Sequence, residues 1–401
     1  MKYIVILADG MADLPVEALN GKTPMEAADK PHMDRLACEG IMGLARTVPE
    51  GMPPGSDTAN MAVMGFDPKI YYSGRSPLEA VAMGIDLKED DLCLRTNLVC
   101  LSPESDYESK TMIDFSSGEI STGEARELIA ALQPLFSPAL RLYTGISYRH
   151  CTVMAQGKAG AELTPPHDIT GKPIRDYLPK GRYARELLDL QKASHEILRQ
   201  HPVNLARQRA GKRPANSLWF WGLGTKPRFD PLEKLYSVKG GVVCAVDLIK
   251  GLGICAGMKA PAVPGATGGM VTDYTAKAEA ALKLLKEGCD LVYIHIEAPD
   301  ECSHHGAAQE KIAAIEAIDR LILGRLQEAL GDSDYRILLT PDHPTPICYM
   351  THIADPVPFV LYDNRGKRSY DRRYTEAEAK ATGLYLPEGY RLMELLIRGE
   401  I

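Results

Sequence analysis

Short apolar runs separated by amphipathic stretches constrain this chain more than any other feature. Five of them, Tyr3–Ala8, Val242–Val246, Leu291–Ile296, Arg336–Leu339 and Pro358–Tyr362, are rich in Val, Ile and Leu without polar alternation, the pattern of strands covered on both faces of a parallel sheet. Between them the spacing turns helical. Tyr274–Lys286 follows Thr272-Asp273, a side chain suited to capping a first turn, and Gln309–Leu330 sets Ile312, Ile315, Ile318 and Ile322 on one side. Strand, loop, helix, strand predicts a doubly wound α/β sheet.

From about residue 90 to about residue 225 the alternation stops, and Pro- and Gly-rich segments such as Thr164-Pro165-Pro166-His167-Asp168-Ile169-Thr170-Gly171 take over. At 401 residues the chain exceeds the roughly 250–300 at which a single core stops growing. The simplest reading is one sheet domain, residues 1–90 and 226–401, interrupted by an inserted α+β domain, residues 91–225. No internal repeat or low-complexity tract is present.

Composition narrows the function classes. With 45% apolar and 25% charged residues, disorder, collagen and coiled coil are excluded. Lys and Arg number 46 against 53 Asp and Glu, a net charge of -7, so nothing global draws the chain to nucleic acid or to an anionic membrane. One basic cluster, Arg199, Arg207, Arg209, Lys212 and Arg213, runs against that average; it reads either as a solvated helix face or as a lure for an anionic substrate. Asp9 cuts the apolar start too early for a signal-peptide core or a membrane span. The nine cysteines lack Cys-x-x-Cys spacing and read as reduced thiols, which sets the expected location in the cytoplasm.

Ligands of open α/β sheets bind beyond the carboxyl ends of the strands, and this sequence gathers its acids and histidines there. The first strand ends at Asp9-Gly10. The third runs into Asp300-x-x-x-His304, the fourth into Asp342-His343, and His352 precedes the last. Singly these are ambiguous: Asp9 also reads as a strand-end cap and His352 as a satisfied core histidine. His295, inside its strand, and His305, off the Asp-x-x-x-His spacing, read as structural. Three carboxylates and three histidines reaching one sheet edge from separate segments suit two divalent cations, Mn²⁺ or Zn²⁺ by donor type, and such ions about 4 Å apart can clamp a phosphoryl group. A nucleophile is then wanted. Ser56, in Pro53-Pro54-Gly55-Ser56-Asp57-Thr58, follows a tight turn at the start of a short helix, and reads either as its N-cap or as a nucleophile facing unpaired N–H groups.

Taken together these residues resemble the 2,3-bisphosphoglycerate-independent phosphoglycerate mutases of the archaeal type, within the alkaline phosphatase superfamily. The resemblance covers nearly the whole chain and rests on Ile6 to Gly10, Gly55 to Thr58, Gly65 to Pro68, Gly74 to Ala80, Ser147 to His150, Val246 to Gly251, Asp300 to His304, Pro341 to His343 and His352 to Pro358. It implies an alkaline-phosphatase-like sheet domain with an inserted substrate domain, and interconversion of 3-phosphoglycerate and 2-phosphoglycerate through a phosphoserine at Ser56, with no added bisphosphoglycerate. By the family's pattern Asp9, Ser56, Asp342 and His343 hold one metal ion and Asp300, His304 and His352 the other. Mn²⁺ is expected, with Zn²⁺, Co²⁺ or Mg²⁺ as alternatives. Arg149, His150, His167 and Asp168, with Arg75 and Arg95 beside them, would grip a small anionic phosphorylated substrate. Closure of the insert would exclude water that otherwise hydrolyses the phosphoserine.

Position 60 departs from that pattern: Asn60 stands where archaeal members generally carry a histidine. The sequence is also similar to a bacterial branch of the family that is described both as mutases and as proposed homoserine kinases, sharing Arg95 to Val99, Pro165 to Ile169, His201 to Asn204, Glu297 to Glu301 and Pro341 to Pro346. A homoserine kinase-like phosphotransferase, a phosphatase and an inactive metal-binding protein therefore stand as alternatives. An ordinary phosphate-cradling loop is not evident. Gly21-Lys22-Thr23 has Val16 where the motif requires glycine, and the Gly-rich Pro264–Gly269 has no lysine and reads as a turn. The superfamily's chemistry needs no such loop.

Overall fold

The computed structural model describes residues 1–366 and 368–399. The chain divides into two compact units, Met1–Tyr72 with Arg228–Ile401, and Ser73–Pro227.

In the first unit the apolar runs form a seven-stranded sheet in the order Gly240–Val243, Leu291–Ile296, Lys2–Ala8, Tyr335–Thr340, Val357–Asp363, Ile41–Ala45, Tyr385–Leu386. The first four are parallel, with Tyr3 in register beside both Leu291 and Arg336. Ile4, Val5, Ile6 and Leu7 are all fully buried, so the central strand is covered on both faces, as its unbroken apolar run requires; each such side chain contributes about 1.5–3 kcal/mol.

The expectation of an all-parallel sheet is corrected. Val357–Asp363 runs antiparallel to both its neighbours. The segment 341–356 contains no helix to carry the chain back to the other end of the sheet, so the next strand starts where the last one stopped. Ile41–Ala45 joins the same sheet without having been foreseen. Its Gly43 sits where a Cβ would lie 2.7 Å from the Leu384 carbonyl oxygen, and the glycine that hides the strand in the sequence is what permits that approach.

The helix Tyr274–Lys286 forms with Asp273 accepting the Ala276 N–H. Gln309–Leu330 was expected as one uniform helix, yet it contains a π segment at Ile318–Gly324 between Ala308–Ala317 and Arg325–Leu330. Ile315, Ile318 and Ile322 still enter the core. Within the π segment, buried Asp319 accepts the N–H groups of His32 at 3.3 Å and Met33 at 2.7 Å, serving the first turn of the helix Pro31–Glu39, which has no side-chain cap of its own. Among the described residues no helix is long and apolar enough to cross a membrane.

The second unit is built on an antiparallel sheet of Met112–Asp114, Leu92–Leu101, Arg149–Met154 and Leu140–Ile146, with Ser217–Thr225 also paired to Leu92–Leu101. One face, with Leu94, Leu98, Leu142, Leu218 and Phe220, is covered by the helices Thr122–Leu132 and Ala184–Leu198. The helix Ser76–Ala82 packs on the strands Leu92–Leu101 and Ser217–Thr225, so residues 73–90 fall in this unit although the sequence pattern sets the boundary at 91. The basic cluster is largely spent on structure. Arg207 is buried and bonds Glu124 and the carbonyls of Ser117 and Arg213, while Arg213 pairs with Asp114 and Arg199 with Glu196.

Candidate metal centre

The parallel ladder carries its polar residues to one edge. Asp9 follows the central strand and its N–H continues the ladder to the Ile296 carbonyl at 2.9 Å. Gly10 then turns with φ +60°, and a Cβ there would lie 2.5 Å from Asp300 Oδ1 and 2.6 Å from Thr345 Oγ. Both the left-handed turn and the crowding require glycine. Beyond Leu291–Ile296, the short helix Ala298–His304 puts Asp300 and His304 on one face by their i, i+4 spacing.

Two clusters of candidate ligands result, Asp300 with His304 and His352, and Asp9 with Asp342 and His343; within each, the ligand atoms lie within 4.8 Å of one another. In the first, His304 Nε2 is 3.1 Å from Asp300 Oδ2 and 3.0 Å from His352 Nε2. In the second, His343 Nε2 is 3.4 Å from Asp342 Oδ2 and 3.7 Å from Asp9 Oδ1. Ser56 Oγ lies 3.2 Å from His343 Nε2. The N-cap position belongs to Gly55, and Ser56 is the first residue of the helix Ser56–Val63, so the reading of Ser56 as a cap is not met.

The donor sets fit cations. Asp9 Oδ1 is buried with no hydrogen-bond partner. Burial, and then the carboxylates of Asp342, Asp300 and Glu297, push the Asp9 carboxyl well above its ordinary range, a crowd of negative charge that positive charge would relieve. The Asp300 hydrogen bond raises His304 to about 9. Burial works to raise Asp300 itself, but the hydrogen bonds from His304 and His352 outweigh it and hold that carboxyl far below its usual value. His304 Nδ1 faces the Met350 carbonyl at 2.9 Å, the second contact that fixes an imidazole with its Nε2 toward a metal.

The insert gathers a different set. Arg95 bonds Glu79 at 3.0 Å and stacks on Trp221, with 4.2 Å from its guanidinium carbon to the ring centroid; burial lowers it to about 10. Arg75 also bonds Glu79, at 2.9 Å, and His167 meets the Trp221 ring edge-on at 5.2 Å. Arg149 is exposed beside Tyr148. Asp168 is exposed, 3.6 Å from His167. Arg95 and Arg149 share a sheet face because Arg95 pairs with Cys151 and Asn97 with Arg149. His150 pairs with Thr96 on the other face, is 4% exposed, and accepts the Gly145 N–H at 3.0 Å. The expectation that Arg149 and His150 grip one ligand together is therefore corrected: neighbours along a strand point to opposite faces.

A sequence model of the family described as 2,3-bisphosphoglycerate-independent phosphoglycerate mutase matches residues 37–204. A Geobacter sulfurreducens protein named as a probable mutase of that kind is 47% identical over 404 residues, covering 99% of this chain and 100% of the relative. The second mutase of that name in Methanothermobacter thermautotrophicus is 46% identical over 399 residues, covering 99% and 97%. The chain belongs to this mutase family. The fold agrees: the structure of the PH0037 protein from Pyrococcus horikoshii matches with a TM-score of 0.82 at 31% identity, covering 100% of this chain and 98% of that one.

Two residues beside the candidate ligands were not expected there. His295, read as structural, presents Nε2–H to Asp9 Oδ2 over 2.9 Å, since a carboxylate oxygen accepts; burial lowers the imidazole to about 3. Asn60, flagged as a departure from the family pattern, is fully buried. Its Nδ2 donates to Asp342 Oδ2 at 2.8 Å and to the Ser56 carbonyl at 2.9 Å, and its Oδ1 accepts the Tyr293 hydroxyl at 2.8 Å. No local signal reveals the contacts of His295 with Asp9 or of Asn60 with Asp342 and Tyr293, because those partners come from distant segments. His305 is exposed and lies outside both clusters.

Proposed function

We propose that this protein is a cofactor-independent phosphoglycerate mutase that interconverts 3-phosphoglycerate and 2-phosphoglycerate through a phosphoserine at Ser56. The observation that carries the reading is Ser56 Oγ standing 3.2 Å from His343 within a double cluster of acids and histidines, in a chain of a family named for this reaction. Asp9, Ser56, Asp342 and His343 would hold one divalent cation and Asp300, His304 and His352 a second, with Mn²⁺ suited to the mixed oxygen and imidazole donors. When bound, such ions supply charge neutralisation of the phosphoryl oxygens and a lowered pKa for the Ser56 hydroxyl.

The chain's own residues do the rest. Burial lowers His343, and its Nε2, 3.2 Å from Ser56 Oγ, orients that hydroxyl. In the first half-reaction a bond forms from Ser56 Oγ to phosphorus as the bond to the substrate's 3-oxygen breaks, and the proton lost from Oγ ends on that oxygen. In the second, the 2-hydroxyl oxygen takes the phosphoryl group and the serine is restored. The insert is the proposed substrate-binding domain, with Arg95, Arg75, Arg149 and His167 as its anion-binding groups, since guanidinium forks match carboxylate and phosphate.

The test is an assay of Mn²⁺-loaded protein with 3-phosphoglycerate coupled to enolase, run beside ATP with homoserine. Turnover in the first arm, reduced about 10³-fold or more by Ser56→Ala as for loss of a nucleophile, is expected. Full activity in Ser56→Ala removes the phosphoserine; phosphohomoserine formation without mutase turnover moves the assignment to the kinase.

A further inference from the structure

Thr345 lies outside both ligand clusters, yet its side chain touches one member of each. Its Oγ is 2.6 Å from Asp300 Oδ1 and 3.2 Å from His343 Nδ1, and the residue is fully buried. The polarity of this chain of bonds follows from the donor inventory. A carboxylate only accepts, so the hydroxyl proton points to Asp300, and the oxygen is left to accept Nδ1–H from His343. That choice leaves His343 Nε2 bare toward Ser56 and the Asp9–Asp342 cluster.

The residue is held from several directions. Its N–H donates to the Ala12 carbonyl at 3.1 Å, and its carbonyl accepts Lys311 Nζ at 3.1 Å. Lys311 in turn pairs with Asp13 at 2.7 Å, both side chains fully buried, and the Asp13 carboxylate also accepts the Ile347 N–H. Gly10 completes the enclosure, since a Cβ there would collide with the two bonded oxygens of Thr345 and Asp300. A buried ion pair that fixes the backbone beneath one hydroxyl leaves that hydroxyl little freedom to relax when either cluster changes.

We propose that Thr345 is a positioning residue that couples the two ligand clusters, so that filling one with a divalent cation orders the other and the second cation binds cooperatively. The inference rests on the reading that these clusters hold two cations. Outer contacts of this kind tune metal affinity by about 10–100-fold. Valine at this position keeps the shape and removes both bonds, whereas serine keeps the hydroxyl.

Metal-free full-length protein is titrated with Mn²⁺ by calorimetry, with free Mn²⁺ counted by electron paramagnetic resonance, for wild type, Thr345→Val and Thr345→Ser. Wild type should bind two ions cooperatively. Thr345→Val should lose the cooperativity and bind the second ion about 10–100-fold more weakly, with Thr345→Ser restoring both. Unchanged cooperative binding in Thr345→Val overturns the coupling while leaving the dimetal reading intact. Should Thr345→Val fail to fold, non-cooperative binding in folded Thr345→Ser overturns it equally. Fewer than two ions on wild type overturns the dimetal reading and the coupling with it.

Discussion

Asp9, Asp342 and His343 meet because they follow the ends of neighbouring parallel strands, Ser56 joins them from the start of its helix, and their chemistry is set by what surrounds them. Asn60 is the clearest case. A neutral amide bonded on three sides to Tyr293, Asp342 and the Ser56 carbonyl ties a candidate ligand to the helix that carries the proposed nucleophile. Asn60→Ala strands the Tyr293 hydroxyl and removes a donor from Asp342. It should cost about 1–3 kcal/mol of stability and weaken Mn²⁺ binding about 10–100-fold, checked by denaturant unfolding and calorimetric titration. Arg149 and His150 carry a different lesson. They adjoin in sequence, but the pleat sends one to the solvent-facing side of its sheet and the other beneath helices.

Among elements, the strands were legible wherever apolar residues dominated a short run, as in Leu291–Ile296, whose ends agree with the pattern. Ile41–Ala45 was not, because its central glycine answers to a neighbour far along the chain. The π segment Ile318–Gly324 was hidden for a related reason: apolar spacing barely distinguishes π from α, and its purpose is seen in Asp319 bonding two N–H groups of another helix. Asp319→Ala should destabilise the fold by about 1–3 kcal/mol, read from the urea midpoint, with turnover per folded molecule unaltered. Restoration of stability by Asn in place of Ala would show that acceptor capacity is what counts.

For the whole molecule, pH and metal supply act as global levers. Burial depresses His150 to about 3, against about 6.5 in the unfolded chain. The neutral folded form is therefore fully stable above pH 6.5, and stability is lost as pH falls from 6.5 toward 3, because only the unfolded chain takes up the proton there. The expected slope is about 1.4 kcal/mol per pH unit well below 6.5, and His150→Asn, which retains an acceptor, should flatten it in denaturant titrations at stepped pH. Mn²⁺ at 100 times its dissociation constant should raise unfolding free energy by about 2.7 kcal/mol per site, seen as a higher melting temperature that a chelator reverses. The sequence by itself determined the α/β class, the presence of an insert and the acids and histidines gathered at strand ends as candidate ligands, because apolar periodicity and polar strand termini are local properties. Tertiary structure alone decided the antiparallel strand, the face on which each insert residue lies, and the contacts of His295, Asn60 and Thr345. Those depend on which distant segments share a few ångströms of buried space, where an unpaired polar atom has no water to turn to.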